Sequence, residues 1–371
     1  MKKYYAFFAL LLTCQIAHSQ GNLTGNMETV FQYLNEDTVI NAKQPIQKGL
    51  INSYMNVFYT QGNFKAGMRF ESYLPRIQGY PNRFDGTGLG MRYVGYQNEF
   101  IDVTLGTFYE QFGSGLALRT YEDRNLGYDN LLDGMRVIIR PGKGFVVKGV
   151  YGTQRLSFQQ GQIVHGAGLV RGVDGEVHLN EALKSLKEAS LDVVLGASFV
   201  SKFQEDDNPE WVLPQNVGAY GARAKLTYGN FYADAEYIQK EADPSSDNQY
   251  IYNYGHAAIF NLRYTQKGLG ILLSGKSVDN MSFRSDRTKD LQDVLINFLP
   301  SLNKTHTYNL VATLYPYATQ PMGEVAFQAD VLYTFKKKSR LGGKYGTTIG
   351  GNFSTTYRPM QHTSTINPLD S

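Results

Sequence analysis

Apolar and polar residues alternate with a period of two along most of the chain. Ile101, Val103 and Leu105, for example, alternate with Asp102 and Thr104. The same alternation is found in segments 23–31, 64–71, 135–140, 222–228 and 325–335. Runs of about ten residues match a tilted membrane strand, whereas soluble sandwich strands have about five or six residues. The pattern therefore predicts an all-β fold, a transmembrane antiparallel β-barrel.

Short and long connections between the predicted strands largely alternate. The short ones contain turn residues such as Gly and Asn and occupy 61–63, 97–98, 141–144, 229–230 and 266–268. The long polar ones occupy 34–48, 75–86, 111–130, 204–215, 241–249 and 280–305. Outer-membrane barrels have short periplasmic turns and long outer loops, so this alternation supports the same architecture.

A consistent alternation of turns and loops requires a strand at 162–170 and a short capped helix at 180–187 on the turn side. With these elements the chain has roughly sixteen strands, an even number, with both termini in the periplasm. A second short helix is predicted at 290–299, in an outer loop.

The composition agrees with a barrel wall and excludes other classes. The 371 residues include 27 Tyr, 21 Phe and 38 Gly and carry a formal net charge of +3. The mean hydropathy of −0.34 is modest, as expected where lipid-facing and lumen-facing residues alternate. The nearly balanced charge gives no reason to expect nucleic acid as a partner.

The first nineteen residues are typical of a signal peptide. Lys2 and Lys3 precede an apolar run at 4–12, and 17–19 offers a cleavage site before Gln20. The run is too short to cross a bilayer as a helix. A retained anchor and a lipidated Cys14 are alternatives, although the residues before Cys14 fit a lipobox poorly. We therefore expect a signal peptide at 1–19 and a barrel at 20–358.

The end of the sequence does not resemble a usual barrel terminus. The last aromatic residue is Tyr357, and a polar tail follows at 359–371. We interpret this tail either as an extension or as the sign of a truncated chain. The expected location is the outer membrane, with membrane lipid around the protein and the barrel-assembly machinery as a partner during biogenesis.

One long connection is rich in charges of both signs. Its members are Glu110, Arg119, Glu122, Asp123, Arg124 and Asp129. A loop of this kind can fold into a pore and impose a transverse field on solutes. Alternatively, the loop folds on itself at the rim, as Gly113, Gly115 and Gly127 would allow. We interpret these six residues as candidates for a pore constriction.

A second candidate feature is a basic wall facing the lumen. Alternation places its members on one face: Lys65, Arg69, Arg92, Arg136, Arg140 and Lys148. Such a wall would favour anionic solutes weakly. The alternative is mutual pairing with inward acidic residues, since a lumen is polar whatever its task.

Catalytic chemistry has little support in the sequence. The histidines after residue 20 are His165, His178, His256, His306 and His362, without zinc-ligand spacing. A lipid-facing pair of His256 and Ser274 is the strongest candidate for hydrolysis. We expect no enzyme activity, no cofactor and no metal site.

The segment 106–119, GTFYEQFGSGLALR, and the segment 121–127, YEDRNLG, resemble a stretch of outer-membrane proteins from Bacteroidota that form a family of unknown function. This resemblance implies an outer-membrane barrel and supplies no activity. Members of that family tend to be longer, which strengthens the expectation of a truncated chain.

The leading functional hypothesis is a porin-like passive channel for small hydrophilic solutes, because a barrel of this size has a lumen wide enough for water. The competing hypothesis is a structural or partner-binding barrel of the cell envelope without transport. That hypothesis predicts a lumen plugged by the 111–130 and 280–305 loops.

Overall fold

The computed structural model describes residues 21–304 and 317–359. These residues form two compact units, the first comprising 21–98 with 158–162, and the second comprising 99–157, 163–304 and 317–359. The predicted signal peptide with Cys14, the histidines His306 and His362, and the tail from 360 onward lie outside the described residues.

Four antiparallel strands in chain order form the sheet of the first unit. They are β1 (Asn22–Tyr33), β2 (Gly49–Gln61), β3 (Phe64–Tyr73) and β4 (Gly86–Gln97). The turn between β2 and β3 is tight because Gly62 has a φ of 56°, which a glycine adopts without steric conflict. The longer connections at 34–48 and 74–85 lie at the other strand ends.

A β-bulge in the first unit changes which face Arg92 occupies. Arg69 lies opposite Met91, but the next residue, Phe70, lies opposite Leu89, so one residue of β4 is unmatched. Beyond this shift Arg92 lies opposite Met68, and directly opposed residues share a face. The alternation that placed Arg92 beside Arg69 is therefore wrong at this position.

Aromatic side chains form the interior of the first unit. Tyr73 lies between Phe84 and Phe158, with ring-centroid distances of 5.5 Å and 5.8 Å. The segment 158–162 is held in place by backbone hydrogen bonds, since the Asp85 amide donates to the Phe158 carbonyl at 2.9 Å. Tyr54 and Tyr80 extend the cluster through a hydroxyl–hydroxyl contact of 2.9 Å.

Eleven long strands form an antiparallel sheet in the second unit, in chain order. They are β5 (Ile101–Phe108), β10 (Leu132–Gly142), β11 (Phe145–Gln159), β12 (Gln162–His178), β13 (Leu191–Phe203), β14 (Asn216–Tyr228), β15 (Phe231–Lys240), β16 (Gly255–Gln266), β17 (Leu269–Asp279), β18 (Gly323–Phe335) and β19 (Thr347–Tyr357). The turn between β11 and β12 lies within segment 158–162, which is assigned to the first unit.

Short elements occupy the connections. Two hairpins of two-residue strands follow β5, namely β6 (Gln111–Phe112) with β7 (Leu118–Arg119), and β8 (Glu122–Asp123) with β9 (Tyr128–Asp129). The helix α1 (Leu179–Ala182) and a 3-10 helix (Lys184–Leu186) follow β12, and a second 3-10 helix (Ser246–Asn248) follows β15. No helix in the described part of the chain is long and apolar enough to cross a membrane.

Most predicted elements are present. The strand predicted at 162–170 is confirmed by β12, and α1 with its 3-10 helix occupies the predicted helix at 180–187. The described residues form nineteen strands rather than roughly sixteen. The excess comes from β6 to β9, because two-residue strands are too short to leave a periodic signal. The other strands of the described residues number fifteen.

The helix predicted at 290–299 is wrong. Leu291 and Val294 have positive φ values of 52° and 45°, which interrupt a right-handed helix. The Arg284 guanidinium also donates to the carbonyls of Leu291 and Asp293, which are therefore not available to a regular helix. The segment forms turns instead, around one buried arginine.

The two faces of the second-unit sheet differ in chemistry. One face exposes large apolar side chains, including Tyr151, Val173, Phe199, Tyr237, Phe260 and Phe327. The register confirms a shared face, since Phe199 lies opposite Tyr220 and Leu262 lies opposite Leu273. The opposite face carries charged side chains and is covered by loop residues. We call these faces the exposed apolar face and the buried face.

Candidate functional site

Two loops of the second unit pack against the buried face. They are the 109–131 loop, between β5 and β10, and the 280–304 loop, which is the first part of the connection from β17 to β18. The loops are hydrogen-bonded to each other: the Arg119 amide donates to the Ile296 carbonyl at 2.8 Å, and the Phe298 amide donates to the Gly115 carbonyl at 2.9 Å. The two loops therefore form one packed structure.

An apolar layer joins these loops to the sheet. Phe112, Leu116 and Leu118 of the 109–131 loop and Phe283 and Ile296 of the 280–304 loop are fully buried. They pack against side chains from each strand between β11 and β17, namely Val150, Val170, Val200, Val217, Ala219, Ile238, Ala257, Ile259 and Val278. Burial of this much apolar surface fixes the loops on the sheet.

Hydrogen bonds from β11 and the loop itself support this arrangement. The carbonyl of Leu295 accepts from the side-chain amides of Asn130 at 2.9 Å and Gln154 at 2.8 Å. The buried Arg155 pairs with Asp129 at 2.9 Å. Because a buried charge is unfavourable without a partner, the Arg155–Asp129 pair ties the end of the 109–131 loop to β11.

Charged side chains form a second layer on the same buried face. In its first cluster, Lys148 pairs with Glu110 at 2.8 Å and Arg136 pairs with Asp102 at 2.7 Å. A distance of 3.7 Å between Arg136 Nε and Glu110 Oε2 links the two pairs. The cluster thus connects β5, β10 and β11 with the beginning of the 109–131 loop.

The second cluster of the charged layer surrounds Arg223. Its guanidinium donates to Asp174 at 2.7 Å and to Glu176 at 3.0 Å. The Ser198 hydroxyl donates to the same Asp174 carboxylate at 2.6 Å. Bidentate, charge-assisted bonds of this kind are strong and directional, so they fix the side chains of β12, β13 and β14.

Glu236 connects the charged layer to the tip of the 109–131 loop. Its Oε2 accepts from the Ser114 amide at 2.7 Å, while its buried Oε1 has no hydrogen-bond partner among the described residues. Gly113 at this tip has a φ of 54°, and a Cβ there would lie 2.6 Å from the Glu236 carboxylate. The tip therefore requires glycine on both conformational and steric grounds.

Buried polar groups hold the 280–304 loop. Lys240 donates to the Ser282 carbonyl at 2.7 Å, and Lys202 pairs with Asp243 at 2.6 Å. The pKa of the Asp286 carboxyl lies below its ordinary value. Burial raises this pKa, but hydrogen bonds donated by the Thr288 amide and hydroxyl contribute to a larger lowering. Asp286 is thus held as an anion in the loop.

Lys276 holds the far end of the 280–304 loop. It pairs with Glu324 at 2.7 Å and donates to the Pro300 carbonyl at 2.7 Å. Both members of this pair are buried. The loop is therefore fixed by polar groups on strands β15, β17 and β18 as well as by the apolar layer.

The six predicted constriction residues do not form one cluster in the structure, because they have different partners. Glu110 joins the charged layer and Asp129 pairs with Arg155, so both lie against the sheet. Arg124 pairs with Glu122 at 3.1 Å. Asp123 Oδ1 accepts from the Asn125 amide at 3.0 Å and closes the turn between β8 and β9. Arg119 packs against aromatic rings instead.

The predicted basic wall is also divided. Arg136 and Lys148 share a cluster in the second unit. In the first unit Arg69 pairs with Glu71 at 2.8 Å, and Lys65 donates to Gln97 at 3.1 Å. These basic side chains are thus paired with neighbouring polar or acidic groups, and Arg92 lies on the other face of its sheet. The continuous row of unpaired basic residues that the sequence pattern indicated is not present among them. Arg140 lies where the β10–β11 register shifts.

Sequence reasoning missed the groups that anchor the loops. Arg155, Lys202 and Lys240 are almost fully buried, although each lies in an ordinary alternating strand. Arg284 and Arg287 lie in a loop whose course the sequence did not reveal. A lysine near the end of each of β13, β15 and β17, namely Lys202, Lys240 and Lys276, is the signal that sequence reasoning could have used.

The predicted His–Ser pair is not formed. His256 Nε2 lies 3.4 Å from the hydroxyl of Ser277, whereas the Ser274 hydroxyl donates to Asn261 at 2.6 Å. The register places His256 opposite Asp279, several residues from Ser274. Within 21–304 and 317–359, no group of three or more His, Cys, Asp or Glu side chains could hold a metal ion.

Together these features define an antiparallel β protein with loops packed on a charged sheet face. Residues 1–369 match the model of the Family of unknown function (DUF6029), and the chain belongs to this family. Comparison with curated proteins gives no match.

Several solved structures, among them a porin, are similar to the chain. A BenF-like porin from Pseudomonas fluorescens Pf-5 has 11% identity and a TM-score of 0.37, with 92% of this chain and 94% of that chain covered. OpdK from Pseudomonas aeruginosa has 9% identity and a TM-score of 0.35, with 91% and 94% covered. OccAB3 from Acinetobacter baumannii has 12% identity and a TM-score of 0.37, with 93% and 95% covered. Since these identities and TM-scores are low, we infer the function from the residues of this chain.

Proposed function

We propose that this protein is an outer-membrane β-barrel that acts as a porin-like passive channel for small hydrophilic solutes. The observation that carries the proposal is the contrast between the exposed apolar face and the charged, buried face of one sheet. Such a sheet has lipid on its apolar side and a polar lumen on the other.

The exposed apolar face requires an apolar environment. Phe199, Tyr220, Tyr237 and Phe260, on neighbouring strands, are each between 41% and 50% exposed. Soluble proteins rarely expose a contiguous apolar patch of several hundred Å². Lipid contact explains this face, and it agrees with the signal peptide expected at 1–19.

The two loops narrow the proposed lumen. The 109–131 loop and the 280–304 loop pack on the face that would line the pore, where they reduce its cross-section. The charged layer lies on the same face, so solutes that pass the loops meet paired charges of both signs. Opposed charges of this kind order water and discriminate among solutes.

The second candidate is a barrel without transport, and the apolar layer favours it. Phe112, Leu116 and Leu118 lie in one buried cluster with side chains from every strand between β11 and β17, which is the arrangement expected of a plug. In that case the protein would serve the envelope by binding a partner or by its structure, and the 109–131 loop would block solutes.

Single-channel recording in planar bilayers separates these candidates. The full chain is refolded, its folding is checked by heat-modifiable migration, and conductance is recorded at several salt concentrations. The channel proposal predicts discrete steps that scale with salt concentration. A folded protein without steps would overturn the channel proposal and support the plugged barrel.

The proposed location is testable by fractionation. We expect the chain in the outer membrane, with membrane lipid against its apolar face and with the barrel-assembly machinery required for insertion. Depletion of that machinery should leave the chain outside the membrane fraction. Recovery of folded protein in the soluble fraction of normal cells would contradict this location.

A further inference from the structure

We propose that Arg119 forms a binding site for the carboxylate of a small organic anion, at the narrow part of the channel. The inference rests on the proposed function, because it names a class of solute for that channel. Its physical basis is an arginine whose guanidinium is positioned by aromatic rings and carries no internal counter-charge.

Two rings hold the Arg119 side chain. The guanidinium carbon lies 4.6 Å from the ring centroid of Tyr121 and 4.0 Å from that of Phe298. The two rings are 6.0 Å apart and nearly perpendicular, with an angle of 85° between their planes. The guanidinium therefore occupies a corner between two rings, where cation–π attraction limits its movement.

The backbone directs this side chain away from the apolar layer. Leu118 is fully buried against the sheet, and successive residues of an extended segment such as β7 point to opposite sides. Arg119 is accordingly half-buried, and its amide is tied to the Ile296 carbonyl at 2.8 Å. The side chain therefore lies on the side of the loop segment opposite Leu118.

Within the described part of the chain, Arg119 lacks a carboxylate partner, in contrast to four other arginines on the same face or in the same loop. Arg124, Arg136, Arg155 and Arg223 have carboxylate oxygens at 3.1, 2.7, 2.9 and 2.7 Å, respectively. In the described residues no carboxylate lies within ion-pair distance of Arg119. Burial raises the pKa of the neighbouring Tyr121, so this ring stays neutral and does not neutralise the guanidinium.

The corner fits an organic carboxylate better than an inorganic anion. A planar guanidinium binds a carboxylate through two parallel hydrogen bonds. The ring edges of Tyr121 and Phe298 then offer apolar surface to the carbon chain of the same molecule. Inorganic phosphate would gain the charge interaction without the apolar contact.

Titration calorimetry on the refolded full chain in detergent tests the site, with sodium hexanoate as the probe and acetate and phosphate for comparison. We expect hexanoate to bind more tightly than acetate or phosphate. Arg119→Gln should weaken hexanoate binding about tenfold or more, as the loss of a charge-assisted bond predicts. The matched control is Arg124→Gln in the same loop, which should bind hexanoate as the wild type does.

Two further variants keep the test decisive if Arg119→Gln does not fold. Arg119→Lys retains the charge but loses the planar fork, and should bind more weakly than the wild type. Tyr121→Leu removes one wall of the corner and should reduce the preference for hexanoate over acetate. Unchanged hexanoate affinity in the folded Arg119 variants, or an equal loss in Arg124→Gln, would overturn the proposal.

Conductance measured on the same proteins separates the inference from the channel function. Binding that depends on Arg119 in a protein without conductance would support the site and contradict the channel. Conductance without binding of hexanoate would support the channel and contradict the site. In a conducting protein, hexanoate should reduce the wild-type current more than that of Arg119→Gln.

Discussion

The apolar layer and the charged layer lie on the same strands, two residues apart, yet they hold the molecule together differently. On β13, Val200 packs under the loops while Ser198 bonds to Asp174; on β15, Ile238 packs under the loops while Glu236 accepts from the loop tip. The apolar layer depends on contact area and shape. The charged layer depends on individual partners, each of which leaves an uncompensated charge when its partner is removed.

This difference assigns separate roles to the layers. The apolar layer determines where the 109–131 loop lies and therefore how wide the proposed pore is. In the proposed channel, the charged layer would determine which solutes the remaining passage favours. Substitutions in one layer should thus change properties that substitutions in the other leave largely unchanged.

Removal of Phe112, one of two fully buried phenylalanines that the loops contribute to the apolar layer, should have the largest effect. Phe112 is fully buried, and Phe→Ala in a packed core costs about 3–5 kcal/mol. Phe112→Ala should therefore release the 109–131 loop, which limited proteolysis would show as new cleavage between β5 and β10. Leu126→Ala in the same loop is the control, since Leu126 is 61% exposed. Equal cleavage of the two variants would contradict the role of the apolar layer.

Removal of the Arg223 charge from the charged layer should destabilise the sheet without releasing the 109–131 loop. Arg223→Met leaves the buried Asp174 without its cation, while Glu176 keeps Lys225 at 3.8 Å. Loss of one partner from a buried pair costs about 3–5 kcal/mol. Urea unfolding in lipid vesicles should show the loss, and Asp174→Asn in the Arg223→Met background should recover part of it. Lys225→Gln, at a half-exposed position, should change stability little. An unchanged stability of Arg223→Met would contradict the stabilising role of the charged layer.

One added methyl group should disrupt the contact between Gly113, at the tip of the 109–131 loop, and Glu236 in the charged layer. Gly113→Ala places a Cβ against the Glu236 carboxylate at a φ of 54°, which should cost about 1–3 kcal/mol. Hydrogen exchange at the loop tip should rise as a result. Gly142→Ala is the control, because it has open space and an ordinary φ. Unchanged exchange in Gly113→Ala would contradict the contact with Glu236.

The smallest effect concerns pH. The pKa of Asp286 is lower in the folded protein than in the unfolded chain, so its contribution to stability is complete above the unfolded pKa of about 3.9. This contribution is lost as the pH falls through the lower, folded value. Hydrogen exchange in the 280–304 loop should therefore increase under strongly acidic conditions, and Asp286→Asn should remove this pH dependence. An increase that persists in Asp286→Asn would assign it to another group.

The strands could be predicted from the sequence because a period of two is a local property that a strand of ten or more residues repeats several times. The bulge that moves Arg92 could not, since it depends on how β3 and β4 pair. The apolar layer could not be predicted from the sequence for a related reason. Phe112 and Leu118 share one buried cluster with Val200 and Ile238, which are far away in the sequence. No periodicity connects a loop to the strands on which it packs.

The candidate site was predictable only in part. The charge density of the 109–131 loop indicated its importance, but all six residues looked equivalent. The distinction between Arg124, which has Glu122 as a partner, and Arg119, which has aromatic rings, depends on Phe298 in the other loop. A contact between two irregular segments leaves no pattern in either of them.

The central claim, that packing of the 109–131 loop on the apolar layer sets the width of a conducting pore, is tested most directly by single-channel conductance of the wild type beside Phe112→Ala and Leu126→Ala. We predict discrete steps in the wild type, larger steps in Phe112→Ala, and wild-type steps in Leu126→Ala. Folded wild-type and Phe112→Ala proteins that both give no steps would contradict the account.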